Sequence, residues 1–343
     1  MKISLVIPTY NRLDSLKRVL SGLENQIDVS LSDFEVIVIS DGATDDTNEY
    51  LTTLVTPLNL VPILQKNGGA AAARNSGIKA ASGELILFLD DDVFPTPRLI
   101  AEHLDVQGKY AENVAVLGPM RTPSDFDMAP WVLWEQAMLE KQYTAMREGE
   151  WEPTARQFFT GNTSLPRKCL LEQGGFDTQF RRAEDVELAY RLAGAGLKFV
   201  YHEKAIGYHY AHRSFNSWLD IPYAYGKNDV IFAMQKGQGW LLTTIWREFP
   251  QRNLGIRVLV RLCLNRPLLS QIFTNGLLQI AKKSTTAVAN KAYSGVYNLR
   301  YYQGVADQIG GRKKFFSELI NRQTPPTLAP IGEDALVQSI LSQ

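Results

Sequence analysis

Short apolar runs alternate with helical patterns along the first 120 residues of the chain. Runs of four or five mostly apolar residues predict five strands, at residues 3–7, 36–39, 61–64, 85–89 and 114–117. Apolar residues at helical spacing predict helices between them, at residues 13–23, 44–53, 69–81 and 99–110. Strands that are apolar throughout and alternate with helices are typical of a parallel sheet covered on both sides. We therefore expect an α/β fold with a mostly parallel sheet flanked by helices.

Three residues refine these predicted elements. Pro8 is expected to end the first strand, and Pro62 marks the third strand as an edge strand. Asn11 is the expected N-cap of the first helix. From about residue 121 the pattern becomes irregular, a helix is predicted near 183–193, and residues beyond about 215 are mostly helical.

Polar residues follow three of the predicted strands. They occur at residues 8–12, in Ser40-Asp41-Gly42 and in Asp90-Asp91-Asp92. Ligands of open α/β sheets bind at the carboxyl ends of the strands, so we expect these groups to form a site.

The aspartate triplet predicts a cation site. Three adjacent carboxylates after a buried strand repel one another, and a divalent cation relieves that repulsion. Oxygen ligands favour Mg²⁺ or Mn²⁺, which take further ligands from substrate phosphates and water. The alternative is a solvated turn that caps the helix near Arg98.

Two further segments favour a nucleotide. Asp41 could accept hydrogen bonds from a base or ribose, or could be an ordinary turn residue. Asn67-Gly68-Gly69 precedes a predicted helix whose N-terminus would attract phosphate, and Arg74 could reach an anion from that helix. The G-x-G-x-x-G and G-x-x-x-x-G-K-[ST] fingerprints are missing, which argues against a dinucleotide oxidoreductase and a P-loop NTPase.

Seven segments in order extend this pattern over residues 3 to about 230. They are residues 6–12, 40–45, 67–69 with 73–75, 90–92, 161–164, 174–177, and 184–188 with 191–192. Together they resemble the family 2 glycosyltransferases of GT-A fold. The family commonly has two aspartates at the second strand end, where this chain has Ser40 and Asp41.

The resemblance implies a role for each matched residue. The residues implied to lie at the nucleotide are Pro8, Thr9, Tyr10, Arg12, Asp41, Asn67, Gly68, Arg74, Asp90 and Asp91. Asp92 would bind the metal, with His212 preferred over His209 as a second ligand and a structural histidine as the alternative. Gly161, Asn162 and Glu184 would lie on the acceptor side, and Asp185 would be the general base.

The resemblance also implies an organisation and a reaction. Residues 1–230 would form the GT-A domain, with a nucleotide-binding half at 1–120 and an acceptor-binding half at 121–230. Residues 231–343 would form a mostly helical extension. The expected reaction is inverting transfer of a sugar from a nucleotide-diphosphate donor to a glycan or lipid-linked glycan, with Mn²⁺ or Mg²⁺ as cofactor. A nucleotidyltransferase and a non-catalytic carbohydrate-binding module are the alternatives, and no nucleic-acid partner is expected.

Charge and cysteine content add an expectation about location. Residues 1–214 carry 21 Lys or Arg and 29 Asp or Glu, whereas residues 215–343 carry 15 and 7. Trp218, Trp240 and Trp246, together with nearby arginines, therefore suggest a basic aromatic surface for peripheral contact with a membrane. Packing of these helices against the remainder of the chain is the alternative. Two distant cysteines and an N-terminus unlike a signal peptide favour a cytoplasmic protein.

Overall fold

The structure is a computed structural model that describes residues 2–110 and 113–321. Internal contacts divide the chain into two units. Unit 1 comprises the described residues of Met1–Met128 and Glu140–Ala211, and unit 2 those of Ala129–Leu139 and His212–Gln343. By these contacts the chain changes unit at residues 211–212, and a short earlier segment belongs to unit 2. The predicted domain boundary near residue 230 stays a prediction. Residues 322–343 of the expected extension lie outside the described residues.

Unit 1 contains two sheets. The strands are β1 (Ile3–Thr9), β2 (Phe34–Asp41), β3 (Leu60–Gln65), β4 (Leu85–Leu89), β5 (Val93–Pro95), β6 (Val114–Leu117), β7 (Met120–Arg121), β8 (Asn162–Pro166), β9 (Lys198–Tyr201) and β10 (Gly207–His209). Seven of them form a sheet in the order β3-β2-β1-β4-β8-β6-β9, and β5-β10-β7 form a smaller one. In the large sheet only β8 is antiparallel to its neighbours. The expected mostly parallel α/β sheet is confirmed.

Both units contain helices. They are α1 (Leu13–Glu24), α2 (Thr47–Thr53), α3 (Ala70–Ala80), α4 (Leu99–Gln107), α5 (Pro130–Arg147), α6 (Arg167–Glu172), α7 (Glu184–Gly194), α8 (Phe215–Gln235), α9 (Trp240–Glu248), α10 (Leu254–Cys263), α11 (Pro267–Lys283), α12 (Thr286–Ile309) and α13 (Arg312–Asn321). The expectation that residues beyond about 215 are mostly helical is confirmed for the residues that the structure describes.

Alternate residues of the central strands face opposite sides of the large sheet. Val36 and Val38 of β2 pack into one apolar cluster, whereas Ile37 and Ile39 pack into the other. All four side chains are fully buried. A strand buried on both faces has to be apolar throughout, which explains the uninterrupted run in the sequence.

The two strand prolines occupy different environments. Pro62 lies in β3, at the edge of the large sheet, as its sequence context predicted. Pro8 lies within β1 and does not end it, so that expectation was wrong. β1 pairs with β4 only as far as Val6, whereas its pairing with β2 continues to Thr9. Pro8 has no backbone N–H to donate, and this is tolerated because β4 no longer pairs with β1 at this position.

The start of α1 also differs from the expectation. Its N-cap is Arg12, without a side-chain cap, and Asn11 has a positive φ of 53°. The Oδ1 atom of Asn11 instead accepts a hydrogen bond from the Thr44 backbone N–H at 2.7 Å. The helix α2 begins at Thr47 and not at Thr44, and Asp46 is its N-cap.

Unit 2 has its own apolar core. Its two longest helices, α8 and α12, come so close that a Cβ atom on Gly226 would lie 2.0 Å from the Tyr301 carbonyl oxygen. Trp218 and Trp246 are buried within this unit. The expectation that these two tryptophans form an exposed aromatic surface is therefore wrong.

Candidate active site

The loop after β1 binds the aspartates that follow β4. Thr9 Oγ1 donates a 2.7 Å hydrogen bond to Asp91 Oδ2. The Arg12 guanidinium lies 3.1 Å from Asp91 Oδ1 and 2.8 Å from Asp92 Oδ2. β1 and β4 are parallel neighbours, so their carboxyl ends bring these side chains together.

Asp91 lies in an environment that opposes its ionisation. Its side chain is buried, and this burial raises its pKa to about 7. The positive charge of Arg12 lowers the pKa, while the carboxylates of Asp92 and Asp90 raise it. Negative charge is therefore concentrated at this strand end, as the aspartate triplet predicted.

A histidine from the small sheet lies next to Asp92. The Nε2 atom of His209 is 3.5 Å from Asp92 Oδ1. His209 is placed there because it pairs with Val93 between β10 and β5, and the Tyr210 N–H donates to the Asp92 carbonyl at 2.8 Å.

Asp92 and His209 are the described residues that we consider for a divalent cation. Among the described residues, no group of three or more His, Cys, Asp or Glu side chains is arranged to hold a metal. The Asp92 carboxylate is a ligand type that Mn²⁺ and Mg²⁺ accept, and Mg²⁺ in particular commonly keeps few protein ligands and fills its other positions with phosphate and water. His212 is exposed and belongs to unit 2, and its role as a ligand stays a prediction.

Arg74 connects the aspartate triplet with the start of α7. Its Nη2 atom lies 2.9 Å from Asp90 Oδ1, and its Nη1 atom lies 2.9 Å from Glu184 Oε1. Arg74 and Glu184 are both buried, whereas Asp90 is one-third exposed. A buried guanidinium shared by two carboxylates fixes the positions of both, since its planar donors have defined directions.

Asp185 follows Glu184 at the first turn of α7. The residue before the helix, Ala183, has a left-handed backbone conformation with φ of 57°, which is uncommon for a non-glycine residue. Asp185 Oδ1 accepts a hydrogen bond from the Val186 N–H at 2.8 Å. The pKa of Asp185 is raised to about 7, mainly by burial and then by the Glu184 carboxylate, while the Val186 N–H and Arg74 lower it. A carboxyl that titrates near neutral pH is suited to accept a proton.

Asp41 organises the loop before α3. Its carboxylate accepts hydrogen bonds from the N–H groups of Gly68 and Gly69, at 2.9 Å and 2.8 Å, and from Gln65 Nε2 at 2.7 Å. Asn67 Nδ2 donates to the Asp41 carbonyl at 2.8 Å. Asp41 thus holds in place the loop that was predicted to lie near the nucleotide.

A second arginine lies at this loop. Gly69 has a φ of +86°, and a Cβ atom there would lie 3.2 Å from the Arg181 Nη1 atom. The side chain of Arg181 is exposed. The position therefore combines a glycine conformation, the N-terminus of α3 and an exposed guanidinium, three features that favour an anionic group.

The expected acceptor-side residues differ in accessibility. Asn162 is fully buried, and its amide bonds to His103 Nε2 at 2.9 Å and to the Ala205 carbonyl at 2.7 Å. A side chain buried in this way does not meet an acceptor, so the geometry does not support direct contact by Asn162. Gly161 accepts a backbone hydrogen bond from Asp90 at 3.2 Å, which places it beside the triplet.

The predicted residues of unit 1 thus form connected groups. The triplet links the loop after β1 with Arg74 and Glu184, while Pro8 is half-buried in β1 and Tyr10 is exposed. His209, which was ranked below His212 as a metal ligand, is the histidine beside Asp92, and the position of Arg181 beside Gly69 was not predicted. The pairing of β10 with β5 places His209, and the short patterns around both strands gave no signal for it. Arg181 lies near Gly69 only because of the loop before α7.

A family model matches the region that holds most of these groups. Residues 4–173 match the model described as Glycosyl transferase family 2. The matched segment contains the loop after β1, the Asp41 loop and the aspartate triplet.

Two relatives of known activity are similar over a longer stretch. Validoxylamine A glucosyltransferase of Streptomyces hygroscopicus subsp. jinggangensis is 31% identical over 60% of this chain and 54% of its own. Chondroitin synthase of Escherichia coli is 30% identical over 60% of this chain and 34% of its own. The chain therefore matches about half of the first relative and a third of the second.

A solved structure shares the fold. The mannosyltransferase PcManGT from Pyrobaculum calidifontis, in complex with GDP-Man and Mn²⁺, superposes with a TM-score of 0.55 at 16% identity. The match covers 88% of this chain and 86% of that one. This agreement confirms the GT-A fold that the sequence analysis expected.

Proposed function

Since residues 4–173 form a family 2 glycosyltransferase domain, we propose that this protein transfers a sugar from a nucleoside-diphosphate donor to an acceptor hydroxyl. The observation that carries the proposal is the position of Arg74, which joins Asp90 of the triplet to Glu184 beside Asp185. Arg74 thereby connects the proposed diphosphate site at the aspartate triplet with the Asp185 carboxyl, which is suited to accept a proton.

The donor would bind at the strand ends. Asp91, held by Thr9, and the Asp41 loop would position the nucleoside. The N–H groups at the start of α3 and the Arg181 guanidinium would face the phosphates. The solved mannosyltransferase of the same fold holds GDP-Man and Mn²⁺, which supports a nucleotide sugar as the donor class.

A divalent cation, Mn²⁺ or Mg²⁺, would be held by Asp92 and His209 and would supply positive charge for the diphosphate as it leaves. Asp92 already lies beside a cation, the Arg12 guanidinium, and this contact supports its affinity for positive charge. The same contact means that Arg12 competes with a metal ion for the carboxylate.

Asp185 would act on the acceptor. As the acceptor oxygen forms its bond to the anomeric carbon, its proton passes to the Asp185 carboxylate, and the bond from that carbon to the diphosphate oxygen breaks. One base with attack from the face opposite the leaving group inverts the anomeric centre. Glu184 would position Asp185 and Arg74 and would not contact the acceptor, because it is buried against Arg74.

The acceptor would be a glycan or a lipid-linked glycan in the cytoplasm. The relatives named validoxylamine A glucosyltransferase and chondroitin synthase act in glycoside synthesis, which supports an acceptor that is a polyhydroxylated compound. A lipid-linked acceptor would also suit a protein that rests on a membrane surface.

Nucleotidyl transfer fits the site less well. That reaction needs free basic groups after the first strand to activate a triphosphate. The arginine at that position, Arg12, is held by Asp91 and Asp92.

Incubation with a panel of nucleotide sugars and Mn²⁺ tests the proposal. We expect release of the nucleoside diphosphate from one donor, and loss of that release in the Asp92→Ala variant. The exposed aspartate of α4 provides a matched control, and Asp105→Ala should retain activity. Donor binding without release, with every donor and a panel of soluble glycan acceptors, would instead indicate a non-catalytic module.

A further inference from the structure

Two helices of unit 2 pack against α12 through their inner sides. A Cβ atom on Gly295 of α12 would lie 3.7 Å from Leu259 of α10 and 3.5 Å from Leu277 of α11. Ile256 and Val260 of α10 are buried on the same side. The sides of α10 and α11 that point away from α12 are therefore open to solvent.

The outward side of α10 is an apolar stripe. Leu254, Val258 and Leu262 follow one another at intervals of four residues and are 64%, 44% and 43% exposed. Residues four apart lie on one face of a helix, so the three side chains form a continuous row.

The outward side of α11 also carries exposed apolar residues, interspersed with the polar Asn275 and Gln279. Only Thr274 and Ala281 of its 17 residues are buried. Leu268 is 75% exposed and Ile272 is 64% exposed, and Phe273 and Ile280 are exposed as well. Large exposed apolar surfaces are rare on soluble proteins unless they bind a partner.

The segment around these helices carries charge of one sign. Residues 249–306 contain eight Lys or Arg and no Asp or Glu. Arg261 and Arg266 are exposed near the end of α10, as are Lys282 and Lys283 at the end of α11. Arg252 is buried in an ion pair with Glu248 and does not contribute.

We propose that the outward sides of α10 and α11, which we call the α10–α11 face, bind the surface of an anionic lipid bilayer. Apolar side chains on one side of a helix, flanked by cations, are the features that place a helix in the headgroup region of a membrane. None of the helices in residues 2–110 and 113–321 combines the length and the apolar composition of a membrane span.

The positive charge of the α10–α11 face favours a lipid membrane over a second copy of the chain as its binding partner. Two copies that met through this face would bring the same basic groups together, and like charges across an interface oppose association. Phosphate groups of anionic lipids complement the same residues. The inference depends only on unit 2 and stands whether or not the proposed transfer reaction is correct.

Vesicle co-sedimentation of the full chain tests the proposal. One set of vesicles contains phosphatidylcholine alone, and the other contains phosphatidylcholine with phosphatidylglycerol. We expect the protein to sediment with the anionic vesicles, at least about tenfold more strongly than with the neutral ones, and to be released by salt. The double variant Leu268→Glu/Ile272→Glu should lose this binding, whereas Met234→Glu, an exposed apolar site on α8, should retain it.

A second variant tests the contribution of positive charge to membrane binding without changing the fold. Arg261→Gln/Lys282→Gln keeps the apolar stripe and should weaken binding to anionic vesicles about tenfold, with an unchanged melting temperature. A wild-type protein that stays in the supernatant with both vesicles would overturn the proposal, as would equal loss of binding in Met234→Glu. A dimer in sedimentation velocity that Leu268→Glu/Ile272→Glu dissociates would also overturn it, because the face would then be covered by a second copy.

Discussion

The Nη1 atom of Arg74 lies 2.9 Å from the Oε1 atom of Glu184, although 110 positions of sequence separate the two residues. The contact joins α3 to the start of α7, and the other end of the same guanidinium binds Asp90. Arg74 was predicted to reach an anion of the nucleotide. In the structure its guanidinium forms ion pairs with two carboxylates of the protein, and we propose that it positions them.

Removal of Arg74 should cost stability as well as activity. Arg74→Met leaves Glu184 buried without its cation, and loss of one partner from a buried ion pair costs about 3 kcal/mol. Glu184→Gln in the same chain should recover part of this loss, because the uncompensated charge is gone. Chemical denaturation of the wild type, both single variants and the double variant gives the coupling free energy. Strictly additive effects would show that the two side chains do not interact.

Asp185→Asn should abolish transfer and leave donor binding intact. The amide keeps the size of the side chain but cannot accept a proton from the acceptor. Product formation and donor affinity, measured on the same preparation, check both parts. Asp105→Asn, at an exposed position of α4, is a matched control that should keep activity. Near-wild-type transfer by Asp185→Asn would mean that another group is the base.

The pKa of Asp185 predicts opposite effects of pH on activity and on stability. Activity should rise as pH increases through about 7, because only the ionised carboxyl accepts a proton. Its folded-state pKa is raised above the unfolded value of about 3.9, so the folded state binds the proton more tightly. This contribution to stability is present at low pH and is lost as pH rises through about 7. The melting temperature of Asp185→Asn relative to the wild type should therefore rise between about pH 4 and pH 7 and level off at higher pH. A constant difference in melting temperature would contradict the raised pKa.

Substitution of His209 and of His212 tests which of the two histidines binds the metal. His209 lies 3.5 Å from Asp92 Oδ1, so His209→Ala should weaken the dependence of donor binding on Mn²⁺ by at least about tenfold. His212→Ala should have a smaller effect. Titration of Mn²⁺ at fixed nucleotide concentration ranks the two variants. A larger effect of His212→Ala would restore the ligand that the sequence analysis preferred.

Arg181 should contribute to donor binding. Loss of one charge-assisted contact to a phosphate corresponds to about 1.5 kcal/mol, or roughly a tenfold rise in KM for the donor in Arg181→Ala. Lys168→Ala removes an exposed charge on α6 and should leave KM unchanged. Equal KM values for both variants and the wild type would show that Arg181 does not contribute to donor binding.

Much of the fold could be predicted because the central strands are buried on both faces. The uninterrupted runs in β2 and β4 follow directly from that burial, and so does the position of Asp90 and its neighbours at a strand end. The alternation of strands with helices was sufficient to infer a parallel sheet. Strand ends were less predictable. The extension of β1 past Pro8 depends on where β4 stops pairing, and pairing between strands is not local information.

Two contacts of the site could not be predicted, because they join segments that are distant in the sequence. His209 adjoins Asp92 because two short strands pair, and Arg181 adjoins Gly69 because of the loop before α7. The expected exposure of Trp218 failed for a related reason. A tryptophan in a basic helical segment can face either a core or a surface, and only the packing of α8 against its neighbours decides which.

The central claim is that Asp92 holds a divalent cation that binds the diphosphate of the donor. Isothermal titration calorimetry of uridine and guanosine diphosphate, with Mn²⁺ and with a chelator, tests it on the wild type and on Asp92→Asn. We expect that one nucleotide binds the wild type tightly only when Mn²⁺ is present, and that Asp92→Asn binds it weakly under both conditions. Tight binding that is equal with Mn²⁺ and chelator, or unchanged in Asp92→Asn, would contradict the claim.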